Sequence, residues 1–223
     1  MVDFRIDLIL QSLPVLGQGL LMTLELTVLA VAIGTVLGTL FGLMRVSKNK
    51  IFYFLASMYV DFFRGTPLLV QLFLVYMGLP QILGFPLDRF TAAIATLSLN
   101  SGAYIAEIVR AGIQSIDKGQ WEAALSLGMN YQQMMRYVIL PQAFKRIIPA
   151  LGNEFIAMLK DSSLVAVISL EELLRKGQLI ITRTFRPFEI YFAVAILYLL
   201  LTTLISRFIA YTERRLNIES TDN

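Results

Sequence analysis

Apolar runs of roughly twenty residues alternate along this chain with short, cation-bearing breaks. A helix needs about 20 mostly apolar residues to cross about 30 Å of hydrocarbon. Five such spans are predicted, at residues 20–44, 51–79, 92–113, 147–170 and 191–211. Arg45, Lys48 and Lys50 close the first, and Arg214 and Arg215 close the last. The middle three carry polar groups: Asp61 and Arg64 in the second, Asn100, Ser101 and Glu107 in the third, and Asn153, Glu154, Lys160 and Asp161 in the fourth. Because ionisable groups are costly in hydrocarbon, these helices should line a cavity or pair with one another. Ahead of the first run, Phe4, Ile6, Leu8, Ile9, Leu10 and Leu13 mixed with Asp3, Arg5 and Asp7 read as an amphipathic segment lying along the membrane surface. The run itself is too long for a signal peptide and ends in lysines where a cleavage site would stand, so nothing is expected to be removed.

Charge then fixes the orientation. With the N-terminus outside, the inner segments collect Arg45, Lys48, Lys50, Arg110, Lys118, Arg136, Lys145, Arg146, Arg207, Arg214 and Arg215. The outer ones hold only Arg5, Arg89, Arg175, Lys176, Arg183 and Arg186. The positive-inside bias therefore predicts N-out, C-in. Glu171 and Glu172 partly offset the outer cations at 171–187. Within the first span Ala30, Gly34, Gly38 and Gly42 recur every four residues and admit a closely packed helix, whether of this chain or another.

Composition narrows the chemistry. The chain is 57% hydrophobic and 16% charged, with a net charge of +3. It contains neither Cys nor His, which excludes thiolate and imidazole catalysis and leaves no expected metal site. The reading is an all-α integral membrane protein with a single transmembrane domain, 1–223.

The segment 114–146 is the longest that does not span, and it is helix-like with a break. It reads Trp121-Glu122-Ala123-Ala124, three residues, Gly128, nine residues, then Val138-Ile139-Leu140-Pro141. Small Ala side chains allow close docking, Gly128 permits a sharp turn, and Pro141 stops or redirects the next helix. Trp121 suits either an anchor at the membrane surface or a partner contact, and Tyr131, Met134 and Met135 suit packing against the membrane domain. This pattern resembles the cytoplasmic coupling motif of ABC-importer permeases, with Val138 in place of the usual Ile. Phe63-Arg64-Gly65-Thr66-Pro67-Leu68-Leu69-Val70-Gln71 and Lys160-Asp161-Ser162-Ser163-Leu164 are similar to stretches of the polar amino acid branch, the histidine, arginine and glutamine uptake systems.

The resemblance covers nearly the whole chain. It implies a type I importer permease fold with cytoplasmic coupling helices, in a multi-pass protein of the bacterial cytoplasmic membrane. It implies a second permease subunit, a homodimer being favoured over a heterodimer, two cytoplasmic ATP-binding subunits and an extracytoplasmic amino-acid-binding protein. Glu122, Ala123, Ala124, Gly128, Leu140 and Pro141 would engage the ATPase. No P-loop pattern occurs, so ATP and magnesium are expected on the partner, no cofactor on this chain, and no enzymatic activity in it.

The mid-membrane polar residues are the candidate substrate site: Asp61, Arg64, Gln71, Asn100, Tyr104, Asn153, Glu154 and Asp161. Arg64 could pair with Asp61 and Lys160 with Asp161, while Glu154 and Glu107 lie nearer the cytoplasmic side. Negative charge then remains around Glu154 and Asp61 to receive the guanidinium or ammonium of arginine, lysine or histidine, with Asn153, Asn100 and Gln71 bonding the amino-acid end. Glutamine is the alternative substrate. Gly65 and Pro67, and Pro149 and Gly152, could break their helices and free backbone groups for an ionic ligand, or serve as packing kinks. A rival reading is a carrier or membrane enzyme that uses the buried carboxylates without an ATPase.

Overall fold

The computed structural model describes residues 4–215, and every regular element in that range is helical. Asp3 of the amphipathic pattern lies outside it. The helices are α1 (Ile6–Arg45), α2 (Lys50–Gly65), α3 (Leu68–Phe73), α4 (Leu79–Leu83), α5 (Arg89–Gln114), α6 (Lys118–Ser126), α7 (Tyr131–Met134), α8 (Leu140–Asp161), α9 (Leu173–Thr184) and α10 (Pro187–Arg215). One π-helical turn, Leu74–Gly78, joins α3 to α4, and a second, Met135–Ile139, joins α7 to α8. Among the described residues α1, α5 and α10 are long and apolar enough to cross a membrane, and α2 with residues 68–83 makes a fourth crossing if that broken pair counts as one.

The small-residue ladder of α1 finds its partner in this chain. A Cβ added at Gly34 would stand 3.1 Å from the Gly102 nitrogen of α5, and one at Gly38 would stand 2.6 Å from Ile105. One at Gly42 would meet the Ala106 carbonyl at 2.8 Å. Successive contacts advance along both helices together, so α1 and α5 run parallel with their backbones close. Three buried clusters follow this pair from end to end. Leu16 joins Leu173 and Ile190, Leu26 and Ala30 join Leu72, Leu97 and Met158, and Ile105 and Val109 join Met135, Ile139 and Ala143.

The amphipathic segment ahead of the first span is not a separate surface element. It continues through Pro14 as the first turns of α1, because Ser12, Leu16 and Gly19 are buried there. Gly19 lets the Leu173 backbone of α9 approach to 2.8 Å from where a Cβ would stand. Glu172, fully buried, caps α9 by accepting from the amides of Leu174 and Arg175 at 2.8 and 2.7 Å, and it accepts the Tyr198 hydroxyl at 3.0 Å. Burial pushes its carboxyl above the ordinary value. It is therefore a helix cap rather than a surface offset for the neighbouring cations.

Candidate functional site

Two of the anticipated spans are reshaped where the polar residues lie. The run 51–79 bends by 107° between α2 and α3, at Gly65-Thr66-Pro67, where proline cannot donate and the preceding residue is forced extended. The carbonyls this frees are taken up by side chains. Gln71, 2% exposed, donates through Nε2 to the Phe63 and Thr66 carbonyls at 2.8 and 3.0 Å. Asn100 of α5 donates to Gln71 Oε1 at 2.9 Å. These two amides thus brace the bend. Gln71→Leu would leave the part-buried Thr66 carbonyl without this donor, the Phe63 carbonyl with only its 3.4 Å bond from Asn100, and Asn100 without its acceptor, at a cost of about 2–3 kcal/mol. We expect the melting temperature of the detergent-solubilised protein to fall by about 4–10 °C, and an unchanged value would remove the bracing role.

The fourth run behaves differently. α8 begins at Leu140, passes through Pro149 and Gly152 without a break, and gives way to the 3-10 turn Ser162–Ile168. Gly152 is a packing point rather than a kink, since a Cβ there would stand 2.7 Å from Ile209 of α10. On this helix Glu154 is partly buried and accepts from Ser101 Oγ of α5 at 3.0 Å. It forms no ion pair within the described residues. Asp161 repels it at longer range. Asn153, Lys160 and Asp161 are exposed, and Asp61 is exposed on α2.

The arginine of the second span departs from expectation. Arg64 makes no pair with Asp61. It reaches Glu107 at 3.4 Å and lies over the Tyr104 ring at 5.3 Å. Nor do Lys160 and Asp161 form an ion pair. Glu107 is a hub that holds Arg45 of α1, Arg64 of α2 and Arg110 of its own helix. The i, i+3 spacing to Arg110 was visible in the sequence, but the two long-range arginines were not. Asn100, Tyr104 and Glu107 share a helix face, yet Asn100 serves Gln71 while Tyr104 and Glu107 both hold Arg64.

The segment 114–146 contains α6, a turn, α7 and the start of α8. Asp117 caps α6 by accepting from the Gly119 amide, and Gly128 closes it at φ +75°, a left-handed conformation that favours glycine. The Asn130–Gln133 capping box starts α7. Pro141 does not stop the helix: α7, the π turn and α8 run on without a gap from Tyr131 to Asp161, the π turn falling just ahead of the residue that cannot donate. Ala124, Met134 and Met135 are buried together and Trp121 packs onto their cluster, whereas Tyr131 is 45% exposed. Glu122, Ala123, Leu125 and Leu127 face outward, the last 78% exposed.

Comparison with known proteins follows these observations closely. Residues 30–218 match the family described as binding-protein-dependent transport system inner membrane component. The arginine transport system permease protein ArtQ of Bacillus subtilis (strain 168) is 43% identical over 205 residues, covering 92% of this chain and 94% of that protein. The glutamine transport system permease protein GlnP of Escherichia coli (strain K12) is 43% identical over 218 residues, covering 97% and 100%. Among solved structures, an amino acid ABC transporter with histidines superposes with a TM-score of 0.91 at 49% identity, over 96% of this chain and 99% of that one. The MetNI methionine ABC transporter, in inward-facing conformations, gives 0.76 at 23% identity over 91% and 96%, a likeness of fold.

Proposed function

Since the chain belongs to the family of binding-protein-dependent transport system inner membrane components, we propose that it forms the path for a basic amino acid, with arginine, lysine or histidine as the substrate class. It is the permease subunit of an amino acid ABC importer and a multi-pass inner membrane protein. ATP hydrolysis belongs to a separate subunit, and a second permease subunit completes the membrane part. Family membership sets aside the ATPase-independent carrier and the membrane enzyme.

The observation that carries the substrate class is Glu154, a partly buried carboxylate anchored by Ser101 and paired with no cation among the described residues. A cation arriving there meets a carboxyl group in a poorly screened setting, where its own charge favours the ionised form of Glu154. Asp61 and Asn153 remain in the proposed site because neither is engaged elsewhere. Tyr104 and Arg64 would bound it, and Gln71 and Asn100 would shape it through the bend. Relatives named for arginine and for glutamine are equally similar, so glutamine stays as the second reading.

We assign the chain five crossings, N-out and C-in, with α8 as the fourth and the bent pair as the second. The outward face of α6, with Glu122 and Ala123, would dock on the ATPase, Gly128 setting its exit angle and Leu140 and Pro141 leading into α8. ATP and magnesium would sit on that partner. A homodimer and an extracytoplasmic binding protein complete the proposed assembly.

The test is ATP-driven uptake of labelled arginine by proteoliposomes carrying the complete importer, competed by lysine, histidine or glutamine. A hydrogen-bonded charge is worth about 1.5–3 kcal/mol. Glu154→Gln should therefore lower arginine uptake by about 10- to 100-fold. Unimpaired arginine uptake, or competition by glutamine alone, would return Glu154 to a structural role.

A further inference from the structure

Between the first turns of α1 and the length of α9 lies a cavity of about 490 Å³, lined by none of Asp61, Glu154 and Asp161 and by no residue of the 114–146 segment. Leu8 and Val15 of α1 and Leu179 and Ile180 of α9 give it apolar walls, and Lys176 and Arg183 give it two cations. Those cations are held differently. The stem of Lys176 lies across Gly19, its Cγ only 2.9 Å from where a Cβ would stand, and its ammonium is 2.6 Å from the Glu171 carboxylate. Arg183, two turns further along α9, is exposed and engages no partner in a hydrogen bond or ion pair among the described residues. With Glu171 offsetting Lys176, the cavity keeps the positive charge of Arg183.

Its rim is aromatic. Thr184 belongs to the lining, and Phe185 follows it in a left-handed conformation, φ 53°, with its ring 83% exposed. That conformation ends α9, the Phe185 amide donating to the Ile181 carbonyl, and it leaves the ring projecting at the rim. Beside it Phe188, 69% exposed, meets Phe4 edge-on at 5.9 Å and stacks on Phe192 at 6.4 Å. Ile6 and Leu10, on the outer side of the same turns of α1, are each 61% exposed. Exposed apolar and aromatic groups beside arginine, at the end of membrane-crossing helices, belong where acyl chains meet headgroups.

We propose that this cavity holds an anionic phospholipid of the leaflet that meets the N-terminal end of α1. Its phosphate lies on Arg183, away from the Lys176–Glu171 pair, and its glycerol and upper acyl carbons lie against Leu8, Val15, Leu179 and Ile180. An apolar wall beneath a free guanidinium fits a ligand with an anionic head and apolar tails, whereas a soluble anion would leave the walls unused.

The test uses the whole permease–ATPase complex in a neutral detergent. It is incubated with phosphatidylglycerol or phosphatidylcholine of identical chains, and retained lipid is counted by native mass spectrometry. Phosphatidylglycerol should be retained about fivefold more than phosphatidylcholine, whose choline cation cancels its phosphate, as expected for a net negative headgroup on one unopposed cation. Arg183→Gln should abolish that preference, while Arg207→Gln on α10 should keep it. Phe185→Gly should leave the melting temperature equal or higher and still reduce retention, an outcome that a purely structural role would not give. Excess inorganic phosphate should not displace the lipid. Equal retention of both lipids, an undiminished preference in Arg183→Gln, or displacement by phosphate would overturn the proposal.

Discussion

Gly38→Val is expected to be the most damaging single change on the α1–α5 interface. A Cβ at Gly38 would stand 2.6 Å from Ile105 and 2.8 Å from the Gly102 carbonyl. One obstacle is a branched side chain at its root and the other is backbone, so neither can swing aside. The helices must separate, and the neighbouring contacts at Gly34 and Gly42 loosen with them. Overpacking typically costs about 1–3 kcal/mol, and the involvement of backbone puts this case at the top of that range. The melting temperature of the purified protein should drop by about 6–12 °C. Gly17→Ala supplies the contrast, because a Cβ there meets nothing within 4 Å; it should be neutral or gain up to about 1 kcal/mol from helix propensity. If both variants melted alike, close backbone approach would not be what holds α1 to α5.

Glu107→Gln should be nearly as costly, for an electrostatic reason. The carboxylate, 17% exposed, is the common acceptor of Arg45, Arg64 and Arg110. Neutralising it leaves three guanidiniums facing one another across three helices. Removing one partner of a buried pair costs about 3–5 kcal/mol. Arg64 at 41% exposure and Arg110 at 31% retain access to water, which reduces the figure to about 2–3 kcal/mol. Arg64→Met in the Glu107→Gln background should recover part of the loss, since it removes one of the repelling charges. The coupling is read from thermal unfolding of the two single variants and the double variant. Strictly additive effects would show that Arg64 is not a member of the hub.

The apolar runs, the small-residue ladder and the coupling-like segment were legible because each depends on local spacing. Gly34, Gly38 and Gly42 announce a close contact on one face of a helix, but its other side, at Gly102, Ile105 and Ala106, is set by a helix far along the chain. The dipeptide pattern around Gly65 and Pro67 signalled a break. The angle of that break depends on Gln71 and Asn100 bonding to carbonyls that exist only once the chain has turned. The amphipathic pattern ahead of residue 20 suggested a separate surface segment, but packing at Leu16 and Gly19 carries it into α1. Arg64 was matched with Asp61 because they are three apart on one helix; Glu107 wins because it lies on the packed face of α5 with Tyr104 beside it. Ser101 beneath Glu154 follows the same rule. Charge-bearing residues could be identified in one dimension, but their partners depend on tertiary proximity.

Gly152 gives α8 a further property. Were α8 to tilt about its contact with Ile209 at Gly152, the end at Leu140 would lie about 18 Å away on one side and Glu154 about 3 Å away on the other, at 1.5 Å of rise per residue. Under the proposed coupling, force enters at the distant end. A swing of about 6 Å there moves Glu154 by about 1 Å. Such a rod works as a reduction gear, exchanging amplitude for force. Large ATPase movements would reach the carboxylate as small, strong displacements, on the scale that makes or breaks one hydrogen bond.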